Sequence, residues 1–406
     1  MVSTTKSYDI IIVGGGPVGL TLAASLCQFG AGLKIAICDR RPFAVPEDAR
    51  ASALAAGVTR VFEGLGLWAE MREAASPIAR MEITDSGQGD LARPLFLQFE
   101  GDVAPNTPYA HMVPNKVIIA TLLEAIEGRV DLLVPGAITG LKSTGAMTTL
   151  EIADGDDLKA PLIIAADGAR SALRDMAGIG VVGHDYDQMA IVTTISHALD
   201  HHNTAWEHFR PAGPFASLPL PGRRSSLVWT EKTADALKYK EMSREELAPV
   251  IEAAMGSVLG AVTVEDVVQA FPLRLQIARE FVGSRLALIG DAAHVVHPIA
   301  GQGLNLGLRD VAALAEVIVE AQRLGQDIGG ADILERYQRW RRFDTALMAL
   351  ATDGLNRLFS NDVATVRAVR DLGLGLVDRL SPLKTGLIRH AAGLSDGPKL
   401  LRGLPI

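Results

Sequence analysis

Cysteine is nearly absent: the 406 residues contain two, Cys27 and Cys38. A disulfide framework is thereby excluded, and two free thiols suit a reducing compartment. Aromatic residues are few, at 5%. Positive charge is not in excess either, since 39 Lys and Arg face 47 Asp and Glu for a formal charge of −8. That balance predicts no polyanion partner and excludes nucleic acid as the expected ligand. No apolar run of about 18 residues occurs, so no transmembrane helix is predicted. The first apolar stretch, Ile10–Val13, is too short for the core of a signal peptide and meets a glycine cluster at once. What remains is an ordinary globular mixture, 48% hydrophobic and 21% charged. It rules out disorder and low-complexity scaffolds, and the length suggests two to three compact units of roughly 100–200 residues.

The chain reads as alternating αβ and sheet segments. Residues 8–13 form a short β-branched run, stopped by Gly14-Gly15-Gly16, that reads as a buried parallel strand. From Pro17 to Phe29 the pattern turns helical, Gly30 ends it, and Lys34–Cys38 makes a second strand closed by Asp39. This is a β-α-β unit. Residues 50–75 look helical and alanine-rich, 78–105 breaks into short alternating pieces, and Lys116–Gly128 is an amphipathic helix. Leu162–Ala166 is another buried strand, 186–275 alternates with period two as an antiparallel sheet does, and Leu286–Ile289 is a further strand. A long helix is expected from Gly303 to about Gly325, followed by more helix. Strands of one Rossmann-like sheet spread over the whole chain require discontinuous domains.

Three motifs carry the chemistry. The first, Gly14-Gly15-Gly16-Pro17-Val18-Gly19, is Gly-x-Gly-x-x-Gly between strand and helix. Gly14 permits the tight turn, Gly16 lets backbone approach a pyrophosphate, and Gly19 lets helix and strand pack closely. The helix start adds free N–H groups and a positive dipole end. Asp39 ends the next strand, twenty residues after Gly19, where a carboxylate can hold a ribose. The motif marks a dinucleotide site without separating NAD from FAD. The second motif is Ala166-Asp167-Gly168 after a strand, which alone is hard to tell from an ordinary turn. The third is Gly290-Asp291-Ala292-Ala293-His294, then His297-Pro298-Ile299-Ala300-Gly301-Gln302-Gly303-Leu304-Asn305, ending at Arg309-Asp310. A strand delivers a carboxylate, and the backbone N–H groups of Gly303–Asn305 open a helix that can face negative charge. His294 and His297 are three apart, but no carboxylate or Cys completes a ligand set, so no metal is expected. His201-His202 reads as a solvated turn.

In this order and spacing the motifs resemble the FAD-dependent aromatic hydroxylases, the group A flavin monooxygenases of the para-hydroxybenzoate hydroxylase fold. Within them, His297–Asp310 resembles the signature of the ubiquinone-biosynthesis hydroxylases. Arg50-Ala51-Ser52-Ala53-Leu54, Gly213–Leu220 and Ser226-Leu227-Val228-Trp229 extend the likeness over almost the full length. One departure is Pro114 before Asn115, where relatives often carry Glu.

The resemblance implies an α/β fold, with a Rossmann-like FAD-binding domain, an inserted antiparallel-sheet substrate domain and C-terminal helices. The expected boundaries are 1–77, 106–185 and 276–345 for the FAD-binding domain, 78–105 and 186–275 for the substrate domain, and 346–406 for the helical region. It implies FAD as cofactor, NAD(P)H as transient reductant, O2 as co-substrate, and a polyprenylated phenol hydroxylated through a flavin C4a-hydroperoxide. Gly14, Gly16, Pro17, Gly19, Asp39 and Arg40 would hold the ADP half, with Arg50 on the pyrophosphate. Gly290 and Asp291 would meet the pyrophosphate or ribityl region. Asp167 would approach the cofactor, and Pro298, Gly301, Gly303, Leu304 and Asn305 would line the isoalloxazine. No phenol-activating base is assigned. Other readings are a hydroxylase of a soluble aromatic, a flavin oxidoreductase that does not hydroxylate, or a non-catalytic assembly component. The expected setting is cytoplasmic, with peripheral contact at the inner face of the cytoplasmic membrane. Other ubiquinone-biosynthesis proteins and a second copy are the further partners it suggests. Residues 372–406, leucine-rich with Arg379, Lys384, Arg389, Lys399 and Arg402, would make the membrane contact or else pack on protein.

Overall fold

Ile10, Ile11 and Ile12 are fully buried, as a strand flanked on both sides by parallel neighbours requires. In the computed structural model, which describes residues 5–47, 50–85, 95–105, 107–360, 392–394 and 397–406, this strand sits inside a six-stranded sheet. Its order is 282–283, Leu286–Leu288, Leu162–Ala165, Ile10–Val13, Ile35–Cys38 and Asp131–Leu133, parallel except for the first. Helix Pro17–Phe29 packs on it beside the buried helix Gln302–Arg323. A small sheet of Thr5–Ser7, Asp157–Ala160, Met147–Ile152 and Ile138–Thr144 flanks it. One apolar core joins residues 8–71, 113–173, 278–337 and 400–406.

A nine-stranded sheet forms the other layer. Val181–His197 pairs antiparallel with both Arg224–Lys232 and Gln269–Ala278, and the sheet continues through Phe215–Leu220 and Thr204–Phe209 to Arg80–Asp85. Its own core, around Ile191, Trp229 and Ile251, is closed by helices Thr233–Glu241 and Arg244–Met255. Helix Ala331–Phe359 then runs from the first core to this sheet, where Asn356 donates to Gln188 at 3.1 Å.

Two local expectations change, and a third is narrowed. Residues 50–75 do not open as helix: Ala51–Ala55 is a strand paired with Ala110–Pro114, and helices follow at Ala56–Gly64 and Trp68–Glu73. Alanine favours helix, but cross-strand pairing overrides that weak preference. His201 is not solvated. It is buried, its Nε2 lies 2.8 Å from the Leu220 carbonyl and its Nδ1 accepts from Asn203 N, while His202 alone is exposed. The tail is partly packed: Leu400 and Leu401 are buried, and Lys399 bonds Glu316 and Glu320. The rest of that expectation, 372–391 with 395–396, lies outside the described residues. Among the described residues no helix is long and apolar enough to cross a membrane.

Candidate functional site

Three adjacent parallel strands deliver the three motifs to one edge. Gly14 N donates to Cys38 O at 2.7 Å, Ala166 N to Val13 O at 2.7 Å, and Ile289 N to Ala165 O at 2.9 Å. These bonds end the ladders and turn each chain outward at the carboxyl edge, the ligand-binding edge of open α/β sheets. The turns enclose a cleft of about 1080 Å³ lined by Gly14, Gly16, Pro17, Asp39, Arg40, Asp167, Gly290, Asp291, Gly303 and Leu304. Gly19 lies behind it, where a Cβ would stand 2.1 Å from Gly14 O.

Each turn is shaped for an elongated anionic ligand. Gly14 has φ +124°, and a Cβ there would meet Ala166 O at 2.1 Å, so the turn needs glycine for fold. At Gly16 and Gly303 a Cβ would touch nothing within 4 Å, because both face open cleft. Gly16 caps helix Pro17–Phe29 and Gly301, at φ +62°, caps helix Gln302–Arg323, neither with a side-chain cap. Two helix starts thus present unpaired N–H groups to the cleft region.

The carboxylates differ. Asp39 accepts from Gly15 N at 2.8 Å and Arg41 N at 2.9 Å, which fixes it while leaving lone pairs for a ribose. Asp167 Oδ1 is buried with no partner among the described residues, and burial raises the carboxyl's pKa against its bonds to Ser171 and nearby backbone. A hydroxyl-bearing ligand would satisfy that oxygen. Asp291 opens to the cleft, yet the protein around its other sides raises its pKa, with His294 pulling the other way. The open glycine cradles, uncapped helix starts and unpartnered Asp167 oxygen fit FAD along this cleft.

Pro298, Gly301 and Asn305 line a second, inner pocket of about 90 Å³, between the same loop and the large sheet. Ala53, Ala55, Tyr109, Ala205, Trp206 and Ala216 are among its other walls. Asn305 was expected at the isoalloxazine, but its side chain is committed to backbone: Oδ1 accepts from Ala55 N, and Nδ2 donates to Ala53 O and Gly301 O. It therefore ties the strand Ala51–Ala55 to the helix start. Arg50 is not a wall of the cleft; its guanidinium stands over the Phe271 ring at 5.9 Å, linking the two layers. At the departure, Pro114 ends a strand, and Asn115 holds the loop by accepting from Ser52 Oγ at 2.7 Å and donating to Arg50 O.

Sequence reasoning assigned Asp310 no role. It is fully buried, accepting from Gly290 N at 2.9 Å and Arg341 Nε at 2.6 Å, with His294 Nε2 2.6 Å away. Burial alone would raise its pKa, but His294 and Arg341 hold the carboxyl below its ordinary value. Asp310 thus clamps the turn that carries Asp291. A signal existed in the Arg309-Asp310 end of the motif, but the partner, Arg341, lies 31 residues on. Tyr109 was also missed; desolvation pushes its phenol up to about 12 and keeps it protonated beside the inner pocket. Tyr186 donates to Asp353 at 2.9 Å, and His111 packs edge-on to Trp68, its pKa lowered to about 4 by burial. Neither lines the inner pocket. No cluster of three potential metal ligands occurs among the described residues.

A family profile described as an FAD binding domain matches residues 7–349. The ubiquinone hydroxylase UbiL of Rhodospirillum rubrum is 42% identical over 414 residues, covering 100% of this chain and 95% of that protein. The 3-demethoxyubiquinol 3-hydroxylase of Escherichia coli is 36% identical, over 96% of this chain and 100% of its own. Among solved structures, p-nitrophenol 4-monooxygenase PnpA of Pseudomonas putida superposes with a TM-score of 0.78. It covers 96% of this chain and 99% of that one, at 19% identity, and so speaks to fold alone.

Proposed function

The chain belongs to the FAD-binding-domain family and is an FAD-dependent monooxygenase; on that premise we propose that it hydroxylates the ring of a polyprenylated phenol in ubiquinone biosynthesis, using NAD(P)H and O2. The observation that carries this reading is the inner pocket at Pro298, Gly301 and Asn305, beside Gly303 and Leu304 of the FAD cleft along the same stretch of chain.

FAD, when bound, supplies the electron transfer and oxygen activation. The protein supplies position, dryness and charge. Gly14 and Gly16 shape the turn and Pro17 opens the helix whose free N–H groups face the pyrophosphate, Asp39 takes the ribose, and Asp167 and Asp291 accept from hydroxyls. Gly303 and Leu304 open a helix start toward negative charge near the ring system. On the substrate side, alanine side chains leave a slot for a flat ring, and Trp206 and Tyr109 give it aromatic walls. The protonated Tyr109 hydroxyl can donate to a ring oxygen. A prenyl tail keeps the substrate in lipid, so the protein meets it at a membrane surface.

The test uses FAD-loaded protein with NAD(P)H, O2 and a short-chain prenyl phenol. Product gaining one oxygen atom, with phenol-dependent NAD(P)H consumption, is expected. Consumption indifferent to the phenol, without oxygenated product, refutes the reading.

A further inference from the structure

Helix Ala331–Phe359 buries one face on the core and leaves another bare. Trp340, Phe343, Leu347 and Leu350 recur at i, i+3, i+7 and i+10, and are 42%, 77%, 43% and 72% exposed. Isolated exposed apolar residues are ordinary, but four aligned on one helix face form a surface. Arg336, Arg339 and Arg342 stand around its aromatic end. Arg339 forms no ion pair among the described residues, while Arg336 and Arg342 meet Glu320 and Glu280. The one carboxylate between Arg336 and Ala351, Asp344, is turned onto Arg309 and Arg341. Of the three, Arg339 alone presents its charge to solvent without an ion pair among the described residues.

We propose that this stripe is the surface by which the protein lies on an anionic lipid bilayer. Large apolar and aromatic side chains beside arginines are what an interfacial helix presents to headgroups and acyl chains. Arginine stems lie along the apolar boundary and their heads reach phosphate. A second copy fits less well. The exposed area of four such side chains is on the order of half the roughly 800 Å² that each partner of a stable dimer contributes. The stripe is also suitably placed. At the far end of the same helix, Leu355, Leu358 and Phe359 pack with Phe209 and Ile299, next to Pro298 of the inner pocket. The rise from Phe343 to Phe359 is about 24 Å. A lipid surface at the stripe therefore lies little more than half of this helix away from the pocket.

The proposal rests on a lipid-borne substrate for its purpose, but its test is separate from turnover. FAD-loaded wild type and a W340S/F343S/L350S variant are sedimented with vesicles of phosphatidylcholine, with and without phosphatidylglycerol. The variant should lose at least about tenfold in partitioning to the anionic vesicles. Arg339→Glu should lose more on anionic than on neutral vesicles. All three side chains removed are exposed, so hydroxylation of a short-chain phenol in solution should be unchanged. Equal binding by wild type and the triple variant, or no binding by wild type, overturns the proposal. So does a wild-type dimer in sedimentation velocity that the triple variant converts to monomer. Failure of every form to hydroxylate the soluble phenol would overturn the reaction assigned above and leave the lipid result standing.

Discussion

Two glycines two residues apart should fail in opposite ways. At Gly14 a Cβ would stand 2.1 Å from Ala166 O, and φ is +124°. Gly14→Ala must displace a backbone that bonds two strands, in a conformation unfavourable to alanine. Backbone strain of about 1–3 kcal/mol and overpacking of similar size add to a loss of about 2–6 kcal/mol. At Gly16 a Cβ meets no protein atom within 4 Å, since it points into the cleft. Gly16→Val should therefore cost the apo fold no more than about 1 kcal/mol, chiefly as a poorer helix cap. Its three extra carbons occupy the space assigned to pyrophosphate, and FAD affinity should fall at least about a hundredfold, or about 2.7 kcal/mol. Urea unfolding of the apo forms reads the first effect, and flavin absorbance per chain with fluorescence titration reads the second. A Gly16→Val protein that keeps stoichiometric FAD refutes the assignment of this turn. A Gly14→Ala protein as stable as wild type refutes the steric argument.

Asp291→Asn should weaken FAD retention while the apo protein unfolds at an unchanged urea midpoint, since this carboxylate is open to the cleft; a shifted midpoint with normal affinity would mean a structural role. Asp310→Ala strands Arg341 and His294 in the core and should cost about 3–5 kcal/mol, read by urea unfolding at pH 7. Because its folded pKa lies below the ordinary 3.8, Asp310 contributes fully above that value, and its contribution disappears as pH falls through the folded value. Wild type should thus destabilise more steeply than Asp310→Asn below about pH 4, followed by acid unfolding. Ala216→Leu adds three carbons to the 90 Å³ pocket and should cut product formed per NAD(P)H by about tenfold or more without changing FAD content, measured by coupled product analysis.

The glycine turns and the strands before them were legible because their residue types answer local needs. A run such as Ile10–Val13 can be buried only between parallel neighbours, and Gly14 at φ +124° is replaced at a steric cost. The same locality explains the failures. Ala51–Ala55 has helix-forming composition, and only its partners, Ala110–Pro114 and the Asn305 side chain 250 residues away, make it a strand. Asp310 looked like a helix residue until Arg341 and Gly290 N were seen to converge on it. His201 was misplaced for the same reason: the Leu220 carbonyl beside it lies 19 residues on.

The backbone bonds from Gly14, Ala166 and Ile289 have a consequence for synthesis. The flavin cleft needs strands from the tenth, the hundred-and-sixty-second and the two-hundred-and-eighty-sixth residues onward to stand side by side. A nascent chain cannot hold its cofactor until the last of these has left the ribosome, and such distant parallel pairing forms late. Uptake of FAD then favours the completed fold alone, by an amount that grows with free FAD. Yellow colour is thus a report that the whole sheet has been assembled, and flavin supply in the cell sets how many finished chains stay that way.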